Sequence, residues 1–245
     1  LVKGLTTITS GTYLAKAATQ TLTGLTLAGG SGVFTGSTGA VDINGNATVT
    51  TGTLTAPTGL FTVSGNWTTG AGGTFAHNNG TVTFDGGLTN QLLDSGGDSF
   101  NNLRHTGTKV LQLLNNDLTA GGTLTNTGGN FDTNGLNITV SGLTTLTKGT
   151  FLANNGTHTF GGLTINGGIF TGASGVVEIN GNMTLTSGTL TASNAGGTFS
   201  VLGNWTKTSG TFNHNGGTVT LDGGNQTISG TNTFNNLTKV DPANN

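Results

Sequence analysis

The chain has no cysteine, 2 prolines and 1 tyrosine, and only 7% of its 245 residues are charged. Without cysteine there can be no disulfide framework, thiolate metal site or cysteine-ligated iron–sulfur cluster. Seven Lys and Arg against nine Asp and Glu leave a formal net charge of -2. Phosphate neutralisation needs clustered cations, and these are scattered, so nucleic acid is not an expected partner. No apolar run approaches the roughly 20 residues of a membrane-spanning helix. The stretch Leu1 to Ser10 lacks the charged and apolar regions of a signal peptide. The sequence therefore reads as a mature form or an excised segment.

What it has instead is glycine, 46 of them, against roughly 7% in an average protein. Low charge with abundant Gly, Thr, Ser and Asn suits a disordered chain, but disordered chains lack regularly spaced β-forming residues. In Met183-Thr184-Leu185-Thr186 apolar side chains hold one parity and threonines the other; Thr81 to Phe84 and Thr218 to Leu221 behave alike. Successive strand residues face opposite sides, so one face is apolar and the other hydroxylated. Helical spacing and helix caps are missing, and almost no helix is expected.

The chain contains itself twice, with a shift of roughly 134 to 138 residues. Gly4-Leu5-Thr6-Thr7 returns as Gly142-Leu143-Thr144-Thr145, and Val41-Asp42-Ile43-Asn44-Gly45-Asn46 as Val177-Glu178-Ile179-Asn180-Gly181-Asn182. Gly65-Asn66-Trp67-Thr68 returns as Gly203-Asn204-Trp205-Thr206, and Phe100-Asn101-Asn102-Leu103 as Phe234-Asn235-Asn236-Leu237. Within each copy a Gly-Thr-aromatic or Gly-Thr-Leu signature recurs about every 20 residues, with Tyr13, Phe34, Leu54 and Phe75, then Phe151, Phe170, Leu190, Phe212 and Phe234 as its bulky members. Asn-Gly pairs such as Asn44-Gly45, Asn79-Gly80, Asn155-Gly156 and Asn180-Gly181 are expected to supply positive φ in tight turns.

Like residues at like places every 20 positions point to stacking rather than to hairpins. The expected fold is all-β: a right-handed parallel β-solenoid (β-helix) of about eleven rungs, with Phe, Leu and Val in interior columns and Asn and Thr in hydrogen-bonded ladders. One solenoid over residues 1–245 is expected to comprise a first repeat over about 4–103, an irregular middle over about 104–141, and a second repeat over about 142–237.

On these residues the chain resembles the Gly/Thr/Asn-rich repeat regions of large bacterial cell-surface β-solenoid proteins, such as autotransporter passengers and filamentous-haemagglutinin-like adhesins. The stretch from Gly203 to Leu237 carries the likeness best, and Gly65 to Leu103 is its degraded sibling. The resemblance implies an extracellular or cell-surface location and a scaffold rather than a reaction.

The charges nearest to a chemical site are Asp85, Asp94, Asp98, Arg104, His105, Lys109 and Asp117, read as a solvated insertion rather than a catalytic cluster. Asp85 and its counterpart Asp222 are expected to cap turns. His77 and His214 hold matching places before Asn-Asn and Asn-Gly and read as turn residues, not metal ligands. Gly29-Gly30-Ser31-Gly32 begins a calcium-binding glycine repeat but supplies no aspartate. Trp67 and Trp205 are expected inside, and the Asn-x-Thr triplets follow from composition. No catalytic residue, metal ligand or cofactor is expected, and the chain is not expected to be an enzyme.

The ends are the informative feature. Leu1, Val2 and Leu5 at the start and Phe234, Leu237 and Val240 at the close are the candidate assembly residues, because strand-like ends without caps invite pairing. The leading expectation is a structural subunit of an extracellular bacterial filament or fibre, joined to itself head to tail, with strand donation by the N-terminal strand as a related geometry. An adhesin stalk or a module binding a glycan or surface is the alternative, followed by ice binding through outward Thr rows.

Overall fold

The alternation produces strands that stack instead of folding back. The computed structural model describes residues 2–241, and these contain 24 strands and no helix. The strands pair in parallel, each with its counterpart one coil later: Val41 to Ile43 with Phe61 to Val63, and those with Val82 to Phe84. The protein is an all-β parallel β-solenoid of about twelve turns. Residues 104–141, where the signature lapses, still carry the short strands Leu111–Leu113, Leu118–Ala120, Leu124–Asn126 and Phe131–Asp132. Contacts divide the chain into two units, residues 1–122 and 123–245.

One coil of the first unit shows how the sequence makes a turn. Val41 and Ile43 point inward on one side with Asp42 outward between them, and Ala47 and Val49 point inward from the next. The strand Ala47–Thr55 then bends at Gly52, whose φ is 85°, so that Leu54 enters the interior while Thr53 and Thr55 stay at the surface. Parallel pairing places Phe34, Leu54 and Phe75 in one column and Leu22, Ile43, Val63 and Phe84 in another. At the start, Tyr13 stacks on Phe34 with ring centroids 5.2 Å apart.

The second unit repeats the design. Phe131, Phe151 and Phe170 form a continuous stack, with centroids 5.3 Å apart at each step. Ile138, His158, Val177, Phe199 and Val219 form the neighbouring column. His158 is fully buried there, and its Nε2–H donates to the carbonyl of Ala153. Burial holds its pKa below the usual histidine value, and the bond to Ala153 offsets part of that effect.

The Asn-Gly expectation is corrected. Among the four pairs, only Asn79 adopts positive φ; Gly45, Gly80, Gly156 and Gly181 do not. Gly45 and Gly181 are needed for space, because a Cβ would stand 2.2 Å from the Thr23 carbonyl oxygen and 2.1 Å from that of Gly161 in the coil beneath. The preceding coil's backbone passes too close for any side chain. The asparagines form true ladders: Asn46 Oδ1 accepts from the Asn66 N–H, and Asn66 Oδ1 from the Leu92 N–H. In the second unit, Asn182 Oδ1 accepts from the Asn204 N–H, and Asn204 Oδ1 from the Thr227 N–H.

Candidate functional site

The duplication makes each edge of the repeats measurable, since every edge residue has a counterpart in a coil with neighbours. Leu237 is 45% exposed, whereas Leu103 is 1% exposed. Ile228 is 41% exposed, whereas Leu93 is 1% exposed. Phe234 is half-buried where Phe100 is fully buried. At the other edge, Tyr13 is partly exposed, whereas its counterpart Phe151 is sealed by Phe131. Val2 is exposed where Val140 is buried.

Leu5 behaves differently. Its counterpart Leu143 is itself exposed, and both lie against a glycine of the following coil, Leu5 on Gly24 and Leu143 on Gly162. Leu5 is thus an outward corner residue and not primarily an edge residue. Val240 is half-buried and donates its N–H to the Leu221 carbonyl, while Leu1 lies outside the described residues. Sequence reading missed Tyr13 and Ile228 as edge residues. Asking what covers each residue's counterpart in the other repeat is the signal that finds them.

The C-terminal edge is partly dressed. Lys239 Nζ donates to the carbonyls of Gly223 and Val240, which places a charge on an edge strand as natural sheets often do. Phe234 packs on Trp205 and Phe212, each with centroids 5.3 Å away. Trp205 itself is fully buried and donates its indole N–H to Asn232 Oδ1 at 2.8 Å.

The residues between 85 and 117 do not behave as a cluster. Asp94 is buried and accepts from the amides of Asn115 and Asn116 and from the Gly96 N–H. Asp98 accepts from the Phe75 backbone N–H, and His105 is buried inside the coil. The turn-capping expectation for Asp85 is corrected: it accepts from the Ser64 hydroxyl one coil away at 2.7 Å. Asp94 and Asp132 do accept from their own turns, Asp94 Oδ1 from the Gly96 N–H and Asp132 Oδ1 from the Asn134 N–H. His77 and His214 sit in their turns as expected, each Nδ1 accepting a backbone N–H, from Asn79 and Gly216. Among the described residues no three His, Asp or Glu side chains gather as a metal-binding group.

The second unit also carries a trough of about 450 Å³ whose lining includes Leu143, Gly162, Thr164, Gly181, Asn182 and Thr184. Comparison with protein-family models, curated proteins and solved structures yields no match.

Proposed function

We propose that the chain is a structural, non-catalytic element of an extracellular bacterial filament or fibre, lengthened head to tail by parallel strand pairing of its edge coils to further coils. The observation that carries this reading is the contrast between Leu103 and Leu237, 1% and 45% exposed at the same repeat position. A solenoid coil draws its stability from neighbours on both sides, and an open strand edge flanked by apolar side chains is a template for another strand. A contact joining one end of a subunit to the opposite end of the next is heterologous and propagates without closing. The extracellular, bacterial part of the reading rests on the resemblance of the Gly/Thr/Asn-rich repeats.

Electron microscopy and light scattering of the purified chain across a concentration series test this. Rods that lengthen with concentration are expected, and monodisperse short particles at every concentration overturn it. The trough beside Leu143 favours a second reading, a module that binds glycan chains, for which saturable signals on a glycan array are the expected result.

A further inference from the structure

The strand segments that carry the interior column Phe34, Leu54 and Phe75 also carry an outward face two residues wide. On one side of the column stand Thr12, Val33, Thr53 and Thr74, coil upon coil. On the other stand Leu14, Thr35, Thr55 and Ala76. The second unit repeats the arrangement around Phe151, Phe170 and Leu190, with Thr150, Ile169, Thr189 and Thr211 in one outward row. Leu152, Thr171, Thr191 and Asn213 form the other row, with Asp132 in register under Leu152 at its border. The two arrays match position for position except Ile169 for Val33 and Asn213 for Ala76. Register shifts in these strands fall outside the arrays, as between Ile8 and Ser10 and between Leu152 and Asn154.

The chemistry of this face separates it from the other outward rows. No position of either array is charged. Among the described residues, its threonine hydroxyls are open to solvent and hydrogen-bond to no other group of the chain. The row through Asp42, Thr62, Thr83 and Arg104 instead carries two charges, and the Thr62 hydroxyl donates to Asp42 at 2.7 Å. Its equivalent in the second unit carries Glu178. The row of Thr7, Thr26, Thr48 and Thr68 is a single column, since inward residues such as Leu25 and Leu27 flank it.

Parallel stacking sets like positions about 4.8 Å apart from coil to coil and alternate residues of one strand roughly 6.6 Å apart. Branching at Cβ restricts χ1, so each threonine methyl and hydroxyl keeps its direction along the row. These two crossed repeats lie close to the oxygen repeats of a prism face of ice. Hydroxyls at that spacing can take lattice positions, and apolar groups between them bind liquid water too weakly to hold it out of the lattice. A charge would turn neighbouring water towards itself and break the order, and the arrays have none.

We infer that the outward arrays centred on Thr53 and Thr55 and on Thr189 and Thr191 are ice-binding faces. Their threonine hydroxyls join the first layer of the ice, and the methyl groups with Leu14, Val33, Leu152 and Ile169 fill the gaps between lattice oxygens. The face uses no edge coil, so this inference stands apart from the fibre reading.

The test follows ice growth in solutions of the full chain by nanolitre osmometry, with partition of the chain into a slowly advancing ice front as a second measurement. Thermal hysteresis, faceted crystals and enrichment in the ice are expected. In Thr53→Lys/Thr189→Lys all three are expected to be lost. In Thr48→Lys/Thr220→Lys, which puts the same charges on other outward rows, all three are expected to persist. Both variants are expected to keep the circular dichroism and Tm of the parent, because the substituted side chains face water. Absence of hysteresis, faceting and enrichment in the parent overturns the inference, as does equal activity, or equal loss, in the two variants. Retention of the parent on insoluble cellulose or chitin, lost in Thr53→Lys/Thr189→Lys, with no effect on ice assigns the face to a solid polysaccharide and also overturns it.

Discussion

Gln91 donates through Nε2 to the Val63 carbonyl at 2.9 Å, and Gln226 makes the equivalent bond to Val201 at 2.8 Å. Each glutamine joins the turn of its own coil to two carbonyls of the coil before it. Gln91→Leu keeps approximate volume but takes the partner from the Gly86 N–H and the Gly65 carbonyl, while the Val63 carbonyl keeps the Asp85 N–H, and a buried polar group left unpaired costs about 1–3 kcal/mol. Urea unfolding of the variant is expected to show a loss of about 2 kcal/mol or more. Gln226→Leu is expected to cost less, because Gln226 is half-buried and water can replace its bonds.

Gly52 and its counterpart Gly188 turn the same corner, with φ of 85° and 88°, and a Cβ on either would stand 2.1 Å from a carbonyl oxygen of the preceding coil. Alanine at either position is expected to destabilise by about 1–3 kcal/mol from the backbone conformation alone, and by more once the clash is added. Gly4→Ala, where a Cβ meets nothing within 4 Å, is expected to leave Tm unchanged. Thermal melts of the three variants measure both outcomes.

His158 makes stability depend on pH in one direction. Its pKa in the folded chain is lowered from 6.5 by burial, so the unfolded chain binds more protons below that value. Stability is complete above about pH 6.5 and falls as the pH drops towards the folded-state pKa, by at most about 1.4 kcal/mol per pH unit. Urea titrations at pH 7.5 and pH 5 are expected to show this loss, and His158→Leu is expected to shrink the difference between the two conditions.

Much of the architecture is legible because its two periods are written in side chains. Alternation of Thr with Leu, Val or Phe marks the strands, and the return of Phe34, Leu54 and Phe75 at coil intervals marks the column. Burial of both tryptophans followed from their size and position. How their N–H groups are satisfied did not follow. Trp67 uses Thr69, two residues on at 3.1 Å, and Trp205 uses Asn232, 27 residues on. The second partner is set by which later loop comes to lie beside the indole N–H, a tertiary fact with no local mark. The roles of Gly45 and Gly181 were misread for a similar reason, because room for a neighbouring backbone is a property of the stack and not of the turn. Regular coils through residues 104–141 were hidden because three-residue strands such as Leu111–Leu113 need only two inward side chains, too few to raise a signature.

The asparagine ladder has a consequence for how such a chain changes over time. Because Asn46 holds the backbone of the next coil at Asn66, and Asn66 holds the next at Leu92, successive turns of the ladder each carry a fastener to the turn that follows. Because each fastener bonds a backbone N–H that any complete turn supplies, losing or gaining one complete turn leaves the ladder's fasteners with mates, whereas an insertion of a few residues inside a turn throws the mates out of phase. Length variation among descendants of this gene should therefore come in steps of whole coils.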